Sequence, residues 1–292
     1  MTDFLQTLIL GLMLGGVYAL FAGGLTLVFG VMRIVNIAHP AFIFLAAFIA
    51  YTLNKNLGLD PLVAVLFNMP IMFVFGMGIY RLLLAKGADS PRYTQMTVLI
   101  TFGLALMIEG ILSFLFTGTI RSVNPPYAVQ AIFIGDIFIP RAQLYAGITS
   151  LILIGLLALV LRYTRIGYAI RATMQNRAAA RTVGVNVERV STIAFGIGAA
   201  LAGASGALMS FLFSFFPSGH WEWVALLLSL VVLGGMGQLM GAVVGALSLA
   251  VAAAFVSDTL GPTWSPLTFY LSLFVILLIR PQGLFGKKME AE

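Results

Sequence analysis

The stretch WVALLLSLVVLGGMGQLMGAVVGALSLAVAAAFVS occupies residues 223–257 and carries no charged side chain over its 35 residues. As one straight helix it would be about 52 Å long, whereas the hydrocarbon core of a bilayer is about 30 Å thick. The stretch must therefore fold back on itself, and Gly234, Gly235 and Gly237 are the residues that permit a turn. The sequence leaves open whether it makes two short crossings or one re-entrant hairpin.

The whole chain shares this apolar character. Of its 292 residues, 61% are hydrophobic and 9% are charged, and the mean hydropathy is +1.05, whereas a soluble domain carries about 25% charged residues. Uncharged runs, with Glu109 tolerated inside the fourth, make about eight apolar blocks. Helices satisfy their own backbone hydrogen bonds in lipid. We therefore predict an all-α integral membrane protein with about eight transmembrane helices in a single domain over residues 1–292.

The composition also excludes several functional classes. The chain has no cysteine and only two histidines, so neither a disulfide nor a metal site is expected. It lacks the G-x-x-x-x-G-K-[ST] phosphate-binding loop, so we expect no ATPase of its own, no bound cofactor and no enzymatic activity. The net charge of +6 comes from basic residues between apolar runs, which is not the pattern of a nucleic-acid-binding protein.

The positions of the basic residues predict the orientation in the membrane. The segment 162–190 carries six arginines and one glutamate, and smaller basic clusters lie at 81–92 and 280–288. Placing these segments and Arg33 in the cytoplasm puts 13 of the 16 basic residues there, in agreement with the positive-inside rule. The N-terminus then lies outside the membrane, and the stretch 223–257 begins and ends on the same face of the membrane. The loops predicted outside are 54–60 and 117–141.

A second apolar block is interrupted by the sequence Asn36-Ile37-Ala38-His39-Pro40. A helix over 40–53 has 14 residues and spans about 21 Å, which is short of a full crossing. The residues before Pro40 are therefore expected to be non-helical. Each half of the chain thus carries one interruption, near 36–40 and near 234–241. Paired interruptions are typical of the binding region of transporters built from structural repeats.

Six residues are the candidates for a transport pathway. They are Asn36, His39, Glu109, Gly234, Gly235 and Gly237. Asn36 and His39 either bind substrate or satisfy the backbone groups freed at the break, and the sequence does not choose between these roles. Glu109 is the only acid well inside an apolar block, where a carboxyl group is a functional candidate. Because no intramembrane base accompanies it, we favour a packing role for Glu109 over proton coupling.

The basic segment contains a second group of candidates. Residues 168–183 combine helix formers with no breaker and are followed by Gly184, a typical helix terminator, so we predict one helix over this range. Its arginines surround an alanine-rich strip, which fits either docking to a partner protein or a basic loop that only fixes the topology. The residues assigned to docking are Arg171, Gln175, Asn176, Arg177, Arg181 and Gly184.

Five motifs, in the same order, resemble those of a known family. They are GGVYALFAGGLTLVFGVMRIVNIAH at 15–39, TRIGYAIRATMQNRAAARTVGVN at 164–186, ALAGASGAL at 200–208, VLGGMGQLMGAVVG at 232–245 and RPQGLFG at 280–286. Together they resemble the LivH-type permeases of bacterial ABC importers for branched-chain amino acids. The match runs nearly end to end.

The resemblance implies the ABC importer permease fold, in a multi-pass protein of the bacterial inner membrane. It also implies a heterodimer with a second, LivM-like permease, two ABC ATPase subunits that use ATP, and a periplasmic solute-binding protein. The coupling helix of such a permease would lie within 168–183, in a cytoplasmic coupling loop 162–190. Related permeases serve urea, short amides or aromatic acids, which are therefore the alternative substrates. A stand-alone secondary transporter is the competing function.

Overall fold

The computed structural model describes residues 2–88, 90, 92–280 and 282–286. This part of the chain forms eleven α-helices and one two-stranded hairpin. In chain order the elements are α1 (Thr2–Met32), α2 (His39–Leu57), α3 (Pro61–Ile79), α4 (Tyr93–Phe116), β1 (Ala131–Ile134), β2 (Ile137–Pro140), α5 (Arg141–Tyr163), α6 (Arg165–Gln175), α7 (Arg177–Thr182), α8 (Val187–Leu212), α9 (His220–Gly234), α10 (Leu239–Leu260) and α11 (Ser265–Ile279). A π-helical turn, Tyr80–Leu84, continues α3.

Seven helical segments of the described chain are long and apolar enough to cross a membrane. They are α1, α3 with the turns that continue it to Gly87, α4, α5, α8, α10, and α11 with the 3₁₀ turn Pro262–Trp264 that precedes it. The two interrupted segments, α2 and α9, have 19 and 15 residues and pack within the same bundle. The predicted all-α membrane fold with about eight spanning helices is therefore confirmed. Helix α2 continues four residues past the predicted range 40–53, because Gly58, at a φ of 65°, is the residue that ends it.

The segments predicted outside meet at one end of the bundle. The Tyr127 hydroxyl donates to the Asp60 carboxylate across 2.9 Å, which joins the loops before α3 and before β1. Burial and this hydrogen bond raise the pKa of the Tyr127 phenol, so the phenol keeps its proton. The Phe138 N–H donates to the Gln6 side chain at 2.8 Å and brings the start of α1 to the same end. These contacts place the segments predicted outside at the same end of the bundle, and their orientation in the membrane stays a prediction.

Helix α8 is the centre of the bundle. It is buried along nearly its whole length and packs against α1, α2 and α3. The motif at 200–208 makes this contact possible, because a Cβ on Gly206 would overlap the Ile43 carbonyl oxygen and the Ala46 methyl group. In lipid, helix association depends on such close van der Waals contact rather than on water exclusion.

Helices α1 and α10 pack against each other in opposite directions. A Cβ on Gly11 would lie 2.8 Å from Val251 Cα, and a Cβ on Gly15 would lie 2.9 Å from Leu247 Cα. Small residues are needed where two helix backbones approach this closely. Because residue numbers rise along α1 as they fall along α10, α10 runs from the glycine turn back towards the outer end. The stretch 223–257 therefore folds back as predicted. Of its two limbs, α10 is long enough to cross a membrane and α9 has 15 residues, so the choice between two crossings and a re-entrant hairpin stays open.

The inner end holds the segments predicted to be cytoplasmic. The last turn of α1 lies there with α6, and the turn between α9 and α10 lies beside residues 282–286. Of the basic cluster predicted at 280–288, Lys287 and Lys288 lie outside the described residues.

Candidate functional site

The first interruption lies inside the bundle. Helix α1 ends at Met32, yet the His39 Nε2 at the start of α2 is 3.1 Å from the carbonyl oxygen of Phe21. Phe21 lies eleven residues before the end of α1, which corresponds to about 16 Å along the helix axis. Residues 33–38 therefore run back into the bundle and place the N-terminus of α2 at that depth. The predicted interruption near 36–40 is confirmed, but its non-helical residues are 33–38, and His39, expected to be non-helical, is the first residue of α2.

Asn36 and His39 hold the break in place. The Asn36 Oδ1 accepts the Ala38 N–H at 3.1 Å, and the His39 ring bonds the α1 carbonyl described above. The Ile37 N–H donates to the Thr101 hydroxyl oxygen at 3.3 Å. Asn36 thus satisfies a backbone group at the break, one of the two roles that the sequence left open, whereas His39 bonds a carbonyl in the interior of α1. Asn36 Nδ2 and His39 Nδ1 have no hydrogen-bond partner among the described residues, so substrate binding by these atoms stays a prediction.

A narrow cavity lies beside the break. Its lining includes Leu25 of α1, Asn36 and Pro40 at the break, and Val224 and Leu228 of α9. Apart from the amide of Asn36, these lining side chains are apolar. Helix α9 runs from this cavity directly to the glycine turn at its own end, so one short helix connects the two interruptions.

The second interruption is a tight turn between α9 and α10. Gly235 and Gly237 have φ values of 92° and 82°, which glycine adopts far more readily than other residues. Residues 282–286 cover this turn. The Leu284 N–H donates to the Leu233 carbonyl at 2.9 Å. The predicted turn is therefore confirmed, and the motif at the end of the chain is part of its packing.

Gly234 ends α9 against the first turn of α10. A Cβ on Gly234 would overlap the carbonyl group of Gly241, and a Cβ on Gly245 would lie 3.0 Å from the Gly234 nitrogen. The two limbs of the turn therefore touch through their backbones, and a larger side chain at any of these positions would separate them.

Glu109 lies in a polar cluster near the outer end, away from both interruptions. Its carboxylate accepts the indole N–H of Trp221 at 2.7 Å, and its Oε2 lies 4.0 Å from the Nε2 of His220. The other ring nitrogen of His220 bonds the Pro217 carbonyl at 3.0 Å. Glu109 thus joins α4 to the first turn of α9, as the packing role requires. Its effect on transport stays a prediction.

Substitutions of Glu109 should separate packing from proton coupling. In Glu109→Gln the amide oxygen can still accept the Trp221 N–H, so we expect nearly normal transport and a free energy of unfolding within about 0.5 kcal/mol of wild type. Glu109→Leu leaves that N–H without an acceptor and should cost about 1–3 kcal/mol. Thermal unfolding in lipid and uptake assays measure both effects. Loss of transport in Glu109→Gln with unchanged stability would instead favour proton coupling.

The basic segment forms two helices that meet at a corner. The predicted single helix over 168–183 is wrong, because α6 ends at Gln175 and α7 begins at Arg177. Asn176 between them is extended, with φ −154° and ψ 111°, and its side-chain oxygen accepts the Ala179 N–H at 3.0 Å. Asparagine is a strong N-cap and a weak helix former, which is the physical reason for the break.

The predicted coupling residues lie at the inner end, in different surroundings. Five of the six are exposed, namely Arg171, Gln175, Asn176, Arg181 and Gly184. Gly184 has a φ of 85° and follows α7 as the predicted terminator. The exposed Arg171 packs its guanidinium 4.9 Å over the Tyr168 ring and donates to a carbonyl of the last turn of α5. Arg177 is half-buried and interacts electrostatically with Tyr80 and Tyr93.

One junction connects the basic segment to the glycine turn. A Cβ on Gly30, near the end of α1, would overlap the methyl group of Met174 in α6 and would lie 3.2 Å from the Cα of Gly237. Because Gly30 has no side chain, α6 and the turn between α9 and α10 can both contact α1 at this residue. Sequence reasoning did not predict this junction, since no spacing rule relates three segments so far apart in the chain.

The six predicted pathway residues therefore occupy three levels. Glu109 lies near the outer end, Asn36 and His39 lie within the bundle, and the three glycines lie at the inner turn. Sequence reasoning missed the aromatic layer between the first two levels. In that layer the Tyr18 ring lies 6.1 Å from Trp223, and Trp223 lies 5.6 Å from Phe21. The only sequence signal for it was the density of aromatic residues.

The sequence model of the permease component of branched-chain amino acid transport systems matches residues 7–279. The chain belongs to this family. It is a transport permease, and with its seven long apolar helices it is a multi-pass protein of the inner membrane. The family resemblance seen in the five sequence motifs is confirmed.

Three curated relatives align along nearly the whole chain. The high-affinity branched-chain amino acid transport system permease protein LivH of Salmonella typhimurium strain LT2 is 29% identical, over 97% of this chain and 96% of the relative. LivH of Escherichia coli K12 is 28% identical over the same shares of the two chains. The permease protein BraD of Pseudomonas aeruginosa is 27% identical, again over 97% and 96%. No solved structure matches this chain.

Proposed function

We propose that this chain is the permease subunit of an ABC importer that carries branched-chain amino acids into the cell. The names of its relatives support this substrate class, and their similarity spans 97% of the chain. Separate ATPase subunits would use the ATP, because the sequence has no phosphate-binding loop. The complete importer would contain a second, LivM-like permease, two ATPase subunits and a periplasmic solute-binding protein.

The junction at Gly30 is the observation that supports a mechanism for coupling ATP hydrolysis to transport. The ATPase subunits would dock on α6 and α7, and ATP binding would move this corner as the subunits close. Met174 contacts Gly30, and Gly30 contacts Gly237, so the movement would reach the turn between α9 and α10 through two direct contacts. A turn made of glycines can change its backbone angles at low cost. It is therefore the element that would open and close the inner end of the path.

The first interruption would form the middle of the path. The N-terminus of α2 lies within the bundle, where its first-turn N–H groups and positive dipole end favour a carboxylate. The unpartnered Asn36 Nδ2 and His39 Nδ1 lie at the same place. Val224 and Leu228 offer an apolar wall that tolerates a branched side chain without holding it tightly. Selectivity would then depend mainly on the external binding protein.

Reconstitution tests this function. The permeases, ATPase subunits and binding protein are placed in liposomes, and uptake is measured for leucine, isoleucine, valine, urea, short amides and aromatic acids. We expect ATP-dependent uptake of the branched-chain amino acids, insensitive to ionophores. Uptake of urea, an amide or an aromatic acid alone would transfer the assignment to that substrate. Uptake by this chain without ATPase subunits, driven by an ion gradient, would contradict the importer and favour a secondary transporter.

A further inference from the structure

A second cavity, of about 320 Å³, lies in the outer half of the bundle. Helices α1, α5, α10 and the start of α11 enclose it. It extends from Thr7 and Asp258 at its mouth to Tyr18 at its base. Thr7 and Tyr18 both lie on α1, eleven positions apart, which corresponds to about 16 Å along the helix. Cavities of this volume are at the lower limit of those that hold small ligands.

Three of the polar side chains that line this cavity have a hydrogen-bonding group without a partner among the described residues. Asp258 makes no ion pair or hydrogen bond with any other described residue, and the hydroxyl of the largely buried Tyr18 makes no hydrogen bond with one either. The side-chain oxygen of Gln143 is buried and also has no partner in the described part of the chain. These three groups lie on three different helices and line one space.

The charge of the cavity has one sign. No lysine, arginine or histidine is among the described residues that line it, and the carboxylate of Asp258, which is exposed at the mouth, is the one charged group among them. The rest of the wall is apolar and includes Leu10, Leu14 and Ala254. An ammonium group carries three hydrogen-bond donors and one positive charge, which matches the carboxylate at the mouth. The Tyr18 hydroxyl, about 16 Å deeper along α1, is out of reach of the same ammonium group. An apolar chain on the same ligand matches the wall.

The base of the cavity borders the aromatic layer above the first interruption. The Tyr18 ring lies 5.6 Å from Phe269 and 6.1 Å from Trp223. The next residue after Trp223, Val224, lines the narrow cavity beside the break. The outer cavity and the break are therefore separated by one layer of aromatic side chains.

We propose that this outer cavity binds a primary ammonium group carried on an apolar chain, with Asp258 as the charged partner. Two sources share this chemistry. One is an amino acid on its way through the permease, a source that rests on the proposed function. The other is the ethanolamine headgroup of a phospholipid of the outer leaflet, a source that does not.

Paired photoaffinity probes test the ammonium requirement. The full chain, with the subunits that co-purify with it, is placed in nanodiscs whose lipid, phosphatidylglycerol, carries no amine. It is then labelled with photo-leucine, with the diazirine-bearing amine of the same chain, or with the corresponding carboxylic acid. We expect labelling of peptides from 7–18 and 250–258 by the two ammonium probes and not by the acid. Equal labelling by the acid would overturn the proposal, and this comparison needs only the wild-type chain.

Two variants test the role of Asp258 in the same assay. Asp258→Asn should reduce labelling by the amine probe about tenfold, because a charge-assisted hydrogen bond is lost. Asp136→Asn removes another outer carboxylate, in the exposed turn between β1 and β2, and should label like wild type. Ser257→Leu fills the mouth of the cavity and should block both ammonium probes. Unchanged labelling by the ammonium probes in Asp258→Asn and Ser257→Leu would contradict the proposal.

The lipid composition then distinguishes the two sources. In phosphatidylethanolamine nanodiscs, suppression of the labelling would identify the lipid headgroup as an occupant, whereas undiminished labelling would identify the free amino acid or amine. Either result supports the ammonium site. ATP-coupled uptake in liposomes is measured on the same variants. Normal branched-chain amino acid uptake together with absent labelling would reject the cavity site and leave the proposed function intact.

Discussion

Gly235→Leu should reduce ATP-coupled uptake to less than about a tenth of the wild-type rate. Gly235 has a φ of 92° and a ψ of 114°, a combination that side-chain-bearing residues rarely adopt, and a Cβ there would lie 2.6 Å from the backbone nitrogen of Gly286. The positive φ of Gly235 and the contact with Gly286 both involve the backbone rather than a flexible side chain. In the variant the turn between α9 and α10 therefore cannot pack against residues 282–286. We expect a loss of stability of about 2–5 kcal/mol from strain and overpacking together.

Gly110→Leu is the matched control. Gly110 lies on α4, is exposed and has no atom within 4 Å of the position that a Cβ would take. The same chemical change there should leave uptake and thermal stability near wild type. Gly235→Ala carries the Cβ without the bulk and should fall between the two. Membrane insertion is checked by fractionation, and packing of 282–286 by limited proteolysis. Normal uptake in correctly inserted Gly235→Leu would contradict the role of the turn.

The fold was largely predictable because the bilayer imposes lengths that a sequence can be compared with. A stretch of 35 uncharged residues at 223–257 is too long for one crossing, and its glycines mark the turn that the structure contains. The break at 36–40 followed in the same way, from a helix too short to cross. The central position of α8 was not predicted, since hydropathy does not distinguish a helix that faces lipid from one that faces protein.

The features of the candidate site were predictable only where they depend on one continuous segment of the sequence. Glu109 and Trp221 are 112 residues apart, and no periodicity relates them, so the carboxylate and the indole were assigned separately. The packing of 282–286 against the glycine turn escaped prediction for the same reason. The corner at Asn176 is different, because its signal was present. An asparagine between two runs of helix formers fits an N-cap better than a helix interior, and the alanines and arginines on either side obscured this preference.

Arg177→Glu should uncouple ATP hydrolysis from uptake. Arg177 is the first residue of α7, directly after the Asn176 cap, and it is half-buried toward Tyr80 and Tyr93. An acid in the first turn of a helix is favoured by the helix dipole, so the substitution should not unfold α7. It reverses the charge where the corner would meet an ATPase subunit and the inner ends of α3 and α4. We expect at least about a tenfold fall in substrate imported per ATP hydrolysed.

Arg165→Glu is the control for this charge reversal. Arg165 is also the first residue of a helix, α6, and follows an N-cap, Thr164, whose hydroxyl oxygen accepts the Gly167 N–H at 3.1 Å. The two variants change the net charge of the same loop equally, so any effect on membrane orientation should be shared. Arg171→Glu is a poorer probe, because it also removes the contact with Tyr168 and with the end of α5.

The ratio of substrate imported to ATP hydrolysed, measured in reconstituted liposomes, separates the possible outcomes. A low ratio in Arg177→Glu with a normal ratio in Arg165→Glu assigns coupling to the corner between α6 and α7. Equal losses in both variants would mean that the loop acts only through its total charge, which is the topological role that the sequence left open. Normal ratios of substrate imported to ATP hydrolysed in both variants would show that the corner does not take part in coupling. The contacts of Met174 and Gly237 with Gly30 would then be packing alone.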